Sequence, residues 1–408
     1  MKLMIVGGGE AQLNAIRYGK NFGFTIVVSD MDTNCPGAAE ADIFINASTF
    51  SYGETCSAAE KEAVDAIFTL GTDQPVLPVA MTAADLGLPT GISVETALGV
   101  TNKRIMKPIF RGNGIPSCRF KLISTKTKQD DLEGFRYPLV IKPVDSQGQR
   151  GVYKVDNWDE LKGYLPDVLT FSREKNVLVE EYYESDEISV SGWVDNNKFY
   201  PLIITDRVTV SNGPHIGVCI SQEYPSKYME KYKDEILSIS EKIVSSFSII
   251  NGPVYFQMLI GNEGIKVNEI AVRIGGGYED ESIPALTGVD ILNLQFELAI
   301  RGKVDNSVLK KYHFPSQSYG AVIFLFTKPG LVASNGDMEV IRKIPGVISG
   351  KYILKPGRRV GNRENSTARA GYVALQCESK KELEDLKRKV FSLLEVKNID
   401  GDNMLCEF

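Results

Sequence analysis

Residues 252–281 constrain this chain more than any other stretch. Two runs of alternating apolar residues flank Gly261-Asn262-Glu263-Gly264, the pattern of two antiparallel strands joined by a tight turn. Pairing these strands sets Gln257 and Glu269 on one face, where two oxygen-bearing side chains can meet a hard cation such as Mg²⁺ bridging substrate phosphates. Arg273 stands four residues beyond Glu269, so an extended strand carries it on the same face. A planar guanidinium there suits a carboxylate or phosphoryl group. Gly275, Gly276 and Gly277 follow and leave room for a substrate to approach. The competing reading is a buried hairpin whose few polar residues are simply satisfied.

With 408 residues, 43% of them hydrophobic and 24% charged, the chain is long enough for two or three domains with cores of their own. A net charge of -6 and a pI near 5.3 argue against a general nucleic-acid binder, because phosphate-backbone affinity needs a basic surface. Six scattered cysteines without a CxxC pair, and only two histidines, argue against a structural zinc site or a disulfide framework. The opening MKLMIVGGG lacks the apolar length and cleavage region of a signal peptide. No apolar run is long enough to span a membrane, so the expected compartment is the cytoplasm.

From the N-terminus, an apolar strand over 2–6, the glycines Gly7, Gly8 and Gly9, a helical pattern and a second strand ending near Asp30 read as a βαβ opening. That order suggests a dinucleotide site, but Gln12 stands where the third glycine or alanine belongs. A glycine turn at Gly8 and Gly9 contacting another small ligand is the preferred reading. Strands over 43–45 and 66–70 follow, the latter entering Gly71-Thr72-Asp73-Gln74. Loops after parallel strands gather at the ligand-binding edge of a sheet. Asp73 is therefore a candidate substrate contact, with an N-cap before a helix over 74–86 as its alternative. The stretch 87–96 closes a first domain near residue 97.

A helix from Thr101 carries Lys103 and Lys107 on one face, a spacing usual for solvated lysines. Tyr137-Pro138-Leu139-Val140-Ile141-Lys142-Pro143 reads as a buried strand ending in a lysine held by a proline, and the turn Ser146-Gln147-Gly148-Gln149-Arg150-Gly151 follows. Such a lysine neutralises phosphates while the turn offers backbone N–H donors. The apolar strand 177–182 ends in Glu180, Glu181 and Tyr182, where a departing backbone can meet an adenine edge and a carboxylate such as Glu187 can take ribose hydroxyls. A hairpin over 188–205 turns at Asp195-Asn196-Asn197. A polar segment then runs from Asp206 to His215, which reads as a substrate contact or structural group rather than a general base for want of a visible partner. Helices over 226–247 and 285–301, then strands over 319–326 and 371–376 with a closing helix over 380–394, complete the chain. Two polar loops in this last part, 355–359 and Asn365-Ser366-Thr367-Ala368-Arg369, either approach the site or lie on the surface.

Taken in order, Lys103, Lys142 in PLVIKP, the SQGQRG turn, VEEY with Glu187 after it, and Gln257 with NEIAVR resemble the ATP-grasp superfamily over nearly the whole chain. The resemblance implies an α/β and α+β architecture: an N-terminal βαβ pre-ATP-grasp domain (1–97), a central two-subdomain ATP-grasp fold (98–315) and a small C-terminal α+β domain (316–408). It also implies ATP and Mg²⁺, with Mn²⁺ as the alternative metal. On this likeness Lys103 and Lys142 contact phosphates, and Ser146, Gln147, Gly148 and Gly151 close over them. Glu180, Glu181 and Tyr182 meet adenine, Glu187 holds ribose, and Gln257 and Glu269 carry the metal. Glu269 and Arg273 serve the chemistry, with Arg273 facing an acyl phosphate, while Gly8, Gly9, Asp73, His215, Arg273 and Gly276 touch substrate. Gln257 departs from the usual acid, and Ala271 from the usual asparagine ligand.

Within the superfamily, MKLMIVGGGEAQL and VNEIA-x-R are similar to carboxyaminoimidazole ribonucleotide synthetase, but IGGGYED replaces its histidine-rich continuation. The segment 205–226, with Thr205-Asp206-Arg207 and Gly213-Pro214-His215, is more similar to the L-amino-acid ligases. The expectation is a ligase forming a C–N bond between a small carboxylate and an amine with release of ADP and phosphate. It has neither nucleic acid nor membrane as partner, and homodimerisation is left open. The alternatives are the purine-type enzyme, a nicotinamide-dependent oxidoreductase and an ATP-binding protein without turnover.

Overall fold

The computed structural model describes residues 1–408 apart from 214, 362–364, 366–367 and 408. Its N-terminal strands are short and apolar, and they pair in parallel in the order Ile43–Asn46, Thr25–Asp30, Lys2–Val6, Ala66–Phe68. Parallel pairing requires crossovers, which the helices Leu13–Asn21, Pro36–Glu40 and Tyr52–Glu62 supply. Gln12 decides what the glycine loop can do. Its amide donates to the Leu70 carbonyl at 2.6 Å, and its buried side chain lies over Gly7 and Gly9, where a pyrophosphate would have to approach. Asp30 accepts from the Gly8 N–H at 2.8 Å, and Cys35 packs against Gly8. The glycine loop is thus packed by its own chain at Gly7 and Gly8.

The other long strands build one twelve-stranded sheet in two halves. One half contains Gly264–Ala271, Gly252–Gly261, Ser185–Asp195, Lys198–Asn212 and His215–Tyr224; the other contains Tyr153–Val155, Leu139–Pro143, Val177–Glu181 and Phe120–Ile123. They meet where His215 pairs with Tyr153, and this narrow junction leaves a cleft between them. Tyr319–Leu325 pairs with His215–Tyr224 and extends the sheet through Gly371–Cys377 to Val347–Tyr352. The third unit thus grows from the wall of the cleft.

Two sequence expectations change here. Residues 206–212, read as part of a polar segment, continue a strand, because Val208, Thr209 and Val210 are β-branched and pair across a bulge with the strand that follows. The helix expected over 285–301 is two helices, Glu279–Thr287 and Ile291–Arg301. Gly288, at φ +76°, ends the first in the left-handed region, and Asp290 caps the second by accepting from the Asn293 N–H at 2.9 Å. Phe296 of the second helix packs edge-on to Phe68, ring centres 5.1 Å apart, and so fastens the N-terminal sheet to the centre. Among the described residues no single helix is long and apolar enough to cross a membrane.

The start of the helix Glu279–Thr287 joins all three parts. Asn14 donates to Asp280 and to Glu281, both at 3.1 Å, while Tyr372 donates to Glu281 at 2.8 Å and Ser349 donates to its other oxygen. Burial and the neighbouring Glu281 push the Asp280 carboxyl up to about 7. The folded chain then holds a proton that the unfolded chain has released, so stability falls as pH rises from about 4 to 7. Asp280→Asn keeps the acceptor for Asn14 without the charge. Urea titrations between pH 5 and 8 should show a flatter pH slope in the variant and a gain of about 1–3 kcal/mol above pH 7; an unaltered slope contradicts the assignment.

Candidate active site

One end of the cleft is built on a buried carboxylate. The antiparallel register sets Val140 opposite Glu180, so Lys142, two residues on, shares the face of Glu180. The helix Lys103–Gly112 packs Met106 and Phe110 inward and brings Lys107 with them. Lys107 is 0% exposed, Glu180 4%. The Lys107 ammonium lies 2.7 Å from one Glu180 oxygen and also donates to the Asn268 carbonyl at 2.9 Å, while Lys142 takes the other Glu180 oxygen and donates to Asn268 Oδ1 at 3.1 Å. Burial would raise the Glu180 carboxyl, but the two lysines outweigh it and hold it at about 2. Burial prevails at Lys107 and lowers it; Glu180 prevails over burial at Lys142 and raises it. One carboxylate thus serves two ammonium groups, leaving net positive charge where Lys142 borders the cavity.

The solvated face expected for Lys103 and Lys107 is corrected accordingly. Lys103 is also buried, donating to Glu269 Oε1 at 2.8 Å and to the Ser146 carbonyl at 3.0 Å. Burial opposes ionisation of Glu269, but Lys103 and Lys142 outweigh it and hold the carboxyl below its usual range.

Two chambers open from this point. The smaller, about 170 Å³, is bordered by Lys103, Lys142, the 146–150 turn, Tyr182 and Glu187; the larger, about 370 Å³, by the 71–74 loop, Arg207, Gln222, Tyr255, Arg273 and Arg369. Gln257, Glu269 and Gln147 to Arg150 border both. Gln257 lies opposite Glu269 in the hairpin register, so the paired oxygen donors read from the sequence stand at the junction. Arg273 is 8% exposed. Its Nε donates to Asp73 at 2.7 Å and its Nη1 to the Ile274 carbonyl at 3.2 Å, and the residue borders the larger chamber. Burial would lower this guanidinium, but Asp73 outweighs it and raises it.

The remaining expected residues distribute unevenly. Asp73 is an ion-pair partner rather than a helix cap, since the helix Val76–Leu86 starts from Pro75 with no side-chain cap. Gly276 borders the larger chamber, yet the glycines serve protein packing as much as substrate access: a Cβ on Gly276 would stand 2.5 Å from the Gly71 carbonyl oxygen. Glu180 engages lysines where an adenine contact was expected. Tyr182 lies under the Lys154 ammonium at 4.3 Å, and Glu181 pairs with Arg136 at 3.1 Å. Glu187 pairs with Arg207 at 3.2 Å. His215 borders neither chamber, because its strand position turns its ring onto Tyr153 at 5.0 Å. This packing fits the structural group that the sequence offered as its alternative. Pro214, Ser366 and Thr367 lie outside the described residues.

Lys107, Arg207, Gln222, Tyr255 and Arg369 are site residues that sequence reasoning did not select. Lys107 left a signal, since Lys103, Met106, Lys107 and Phe110 follow helical spacing on a single face. The others converge from distant segments and left none.

The donor set fits a nucleotide polyphosphate and one Mg²⁺. Ammonium groups from Lys103 and Lys142 and the Arg150 guanidinium border the smaller chamber beside an ionised Glu269. Magnesium is commonly held by one or two carboxylates plus substrate phosphates, a demand that Glu269 with the Gln257 amide oxygen meets. Ala271 supplies no ligand, and among the described residues no group of three or more acidic, histidine or cysteine side chains is arranged for a metal.

Residues 83–277 match the family model described as ATP-grasp domain, and the fold and cleft agree with it: this stretch is an ATP-grasp domain. Residues 322–398 match the family model described as L-amino acid ligase C-terminal domain 2. The chain is similar to the L-arginine-specific L-amino acid ligase of Bacillus subtilis, 20% identical over 325 residues that cover 77% of this chain and 76% of that protein. Its fold is similar to L-amino acid ligase from Bacillus licheniformis, with a TM-score of 0.81, 18% identity, and 97% and 98% of the two chains covered. N5-carboxyaminoimidazole ribonucleotide synthetase from Thermotoga maritima is also similar, with a TM-score of 0.70, 18% identity and coverage of 97% and 99%.

Proposed function

We propose that this chain activates a small carboxylate, an amino acid or close relative, with ATP and joins it to an amine. The observation that carries the reading is the meeting of two chambers at Glu269, with ammonium groups on one side and Arg273 on the other. A carboxylate is a poor acyl donor because oxide would have to leave. Transfer of the γ-phosphoryl group to a carboxylate oxygen gives an acyl phosphate and ADP; the amine nitrogen then attacks the carbonyl carbon, and phosphate departs with a proton lost from nitrogen. Both reactants of the first step are anions, so fixed cations must offset their repulsion.

In this reading Lys142 and Lys103 hold phosphates, the 146–151 turn covers them, the backbone near Tyr182 meets adenine and Glu187 meets ribose. Glu269 and Gln257 would hold Mg²⁺, which when bound neutralises and bridges terminal phosphate oxygens. Arg273 steadies the negative oxygens of the carboxylate and of the tetrahedral intermediate. The C-terminal match favours amino-acid substrates over the purine-type reaction. The filled glycine loop disfavours a nicotinamide cofactor.

A phosphate-release screen with ATP, Mg²⁺ and pooled amino acids, run beside bicarbonate with aminoimidazole ribonucleotide, tests the proposal. Release with amino acids supports it. Release with the bicarbonate pair alone transfers the assignment to the purine-type reaction, and tight Mg-ATP binding with no release from any pool indicates a protein without turnover. Lys142→Ala leaves Glu180 paired with Lys107, so the fold should survive while ATP affinity drops about tenfold or more. Titration with ATP checks this, and unaltered affinity would give Lys142 a purely structural role.

A further inference from the structure

The larger chamber carries more positive charge than the proposed reaction needs. Four guanidinium groups border it, from Arg150, Arg207, Arg273 and Arg369, against the carboxylates of Asp73 and Glu269. Most of these charges already have partners. Arg273 pairs with Asp73, Arg207 with Glu187 at 3.2 Å, and Glu269 with Lys103. Arg150 lies in the turn that borders both chambers, on the phosphate side.

Arg369 is different. It comes from the C-terminal unit, on one of the two polar loops left without a function by the sequence, and among the described residues it has no carboxylate within 4.0 Å. Its guanidinium lies 3.7 Å above the Phe324 ring, its Nη1 donates to the Gly276 carbonyl at 3.1 Å, and its Nε is buried with no hydrogen-bond partner. Burial pulls its pKa below the usual arginine value. A buried donor with no acceptor is costly unless a ligand supplies one, and a planar fork fixed by a ring and a backbone carbonyl is suited to a bidentate anion. Around it, Arg207 donates to the Tyr255 hydroxyl at 2.9 Å and Gln222 closes against Gly277, while the nearby buried Glu279 is engaged by the Gly277 N–H at 2.6 Å and forms no ion pair with Arg369.

We propose that the substrate activated in the larger chamber carries a second anionic group, beyond the carboxylate that reacts, and that Arg369 holds it. The proposal rests on the ligase reading for its substrate but not for its measurement, because anion binding can be read without turnover. The second group is a carboxylate or a phosphate, two anions of shared chemistry that the probes separate. Arg273 attends the reacting carboxylate; Arg369 selects the far end of the molecule.

The test is titration calorimetry on the full chain saturated with Mg²⁺ and a non-hydrolysable ATP analogue. The probes are L-glutamate, L-aspartate, succinate and O-phospho-L-serine, with L-glutamine as the neutral match in shape. At least one dianionic probe is expected to bind about tenfold or more tightly than L-glutamine. Arg369→Gln should weaken that probe by about 10- to 100-fold, and Arg369→Lys should restore part of the loss. Analogue binding and melting temperature report whether each variant is folded. Preference for O-phospho-L-serine identifies phosphate as the second group, and preference for the others identifies carboxylate. Equal binding of L-glutamine, no binding by any dianion, or dianion binding that survives in a folded Arg369→Gln overturns the proposal. ADP release from neutral amino acids without anion preference would remove this inference while leaving the ligase reading intact. An Arg369-dependent anion preference without ADP release from any pool would do the reverse.

Discussion

Glu180→Ala is expected to cost about 3–5 kcal/mol of folding stability, because it strands two buried ammonium groups that now share one carboxylate. Lys107 has nowhere to rehydrate, being 0% exposed. The effect should carry a pH signature. A carboxyl depressed to about 2 in the fold contributes stability that is present above its unfolded value of about 4.5 and is lost as pH falls toward 2. That contribution is about 3 kcal/mol. Glu180→Gln, which keeps the shape, should lose most of this acid-sensitive stability. Denaturation at pH 7 and pH 3 measures both. If Glu180→Ala unfolds at the same urea concentration as the parent, the triad is not the anchor of this half of the cleft.

The second large effect is on turnover. Arg273→Ala should lower kcat by about 100- to 1,000-fold, the usual loss when one preorganised donor to a developing oxyanion is removed. Arg273→Lys keeps the charge without the fork and should recover only part of it. The ion pair with Asp73 makes a structural role a serious competitor. The two are separable, since Asp73 is partly exposed and can be rehydrated when its partner is lost. Loss of melting temperature with near-normal kcat in the folded fraction would confine Arg273 to bracing the 71–74 loop; a collapse of kcat with ATP affinity retained places it at the reacting oxygens.

The parts of this site that could be read from the sequence share one property: they are local. The hairpin 252–271 is announced by a two-residue turn between alternating runs, but counting back from that turn sets Gln257 opposite Asn268; a bulge between Gln257 and Met258 shifts the register by one and brings Glu269 opposite Gln257. Lys142 is legible because a proline and a glycine-bearing turn follow a buried strand. Glu180 was visible as an acid at a strand end, but its lysine partners were not, because Lys107 reaches it through the packing of a separate helix. The break after Thr287 was legible in principle, since Gly288 and Asp290 are a helix stop and a helix start two residues apart. An apolar periodicity running through both helices concealed it. Arg369 lies 96 residues beyond Arg273 in sequence, yet borders the same chamber. No spacing rule links residues brought together by the pairing of the third unit with the central sheet.

The central claim is that the carboxylate itself takes the phosphoryl group, and one isotope measurement addresses it directly. The protein is incubated with ATP, Mg²⁺, the amine partners and a pool of amino acids and dicarboxylates labelled with ¹⁸O in their carboxyl groups, and the released phosphate is examined by mass. Activation through an acyl phosphate predicts one ¹⁸O atom in the phosphate for each ADP and each new C–N bond formed. Product formed with unlabelled phosphate, or with release of AMP and pyrophosphate, contradicts the account.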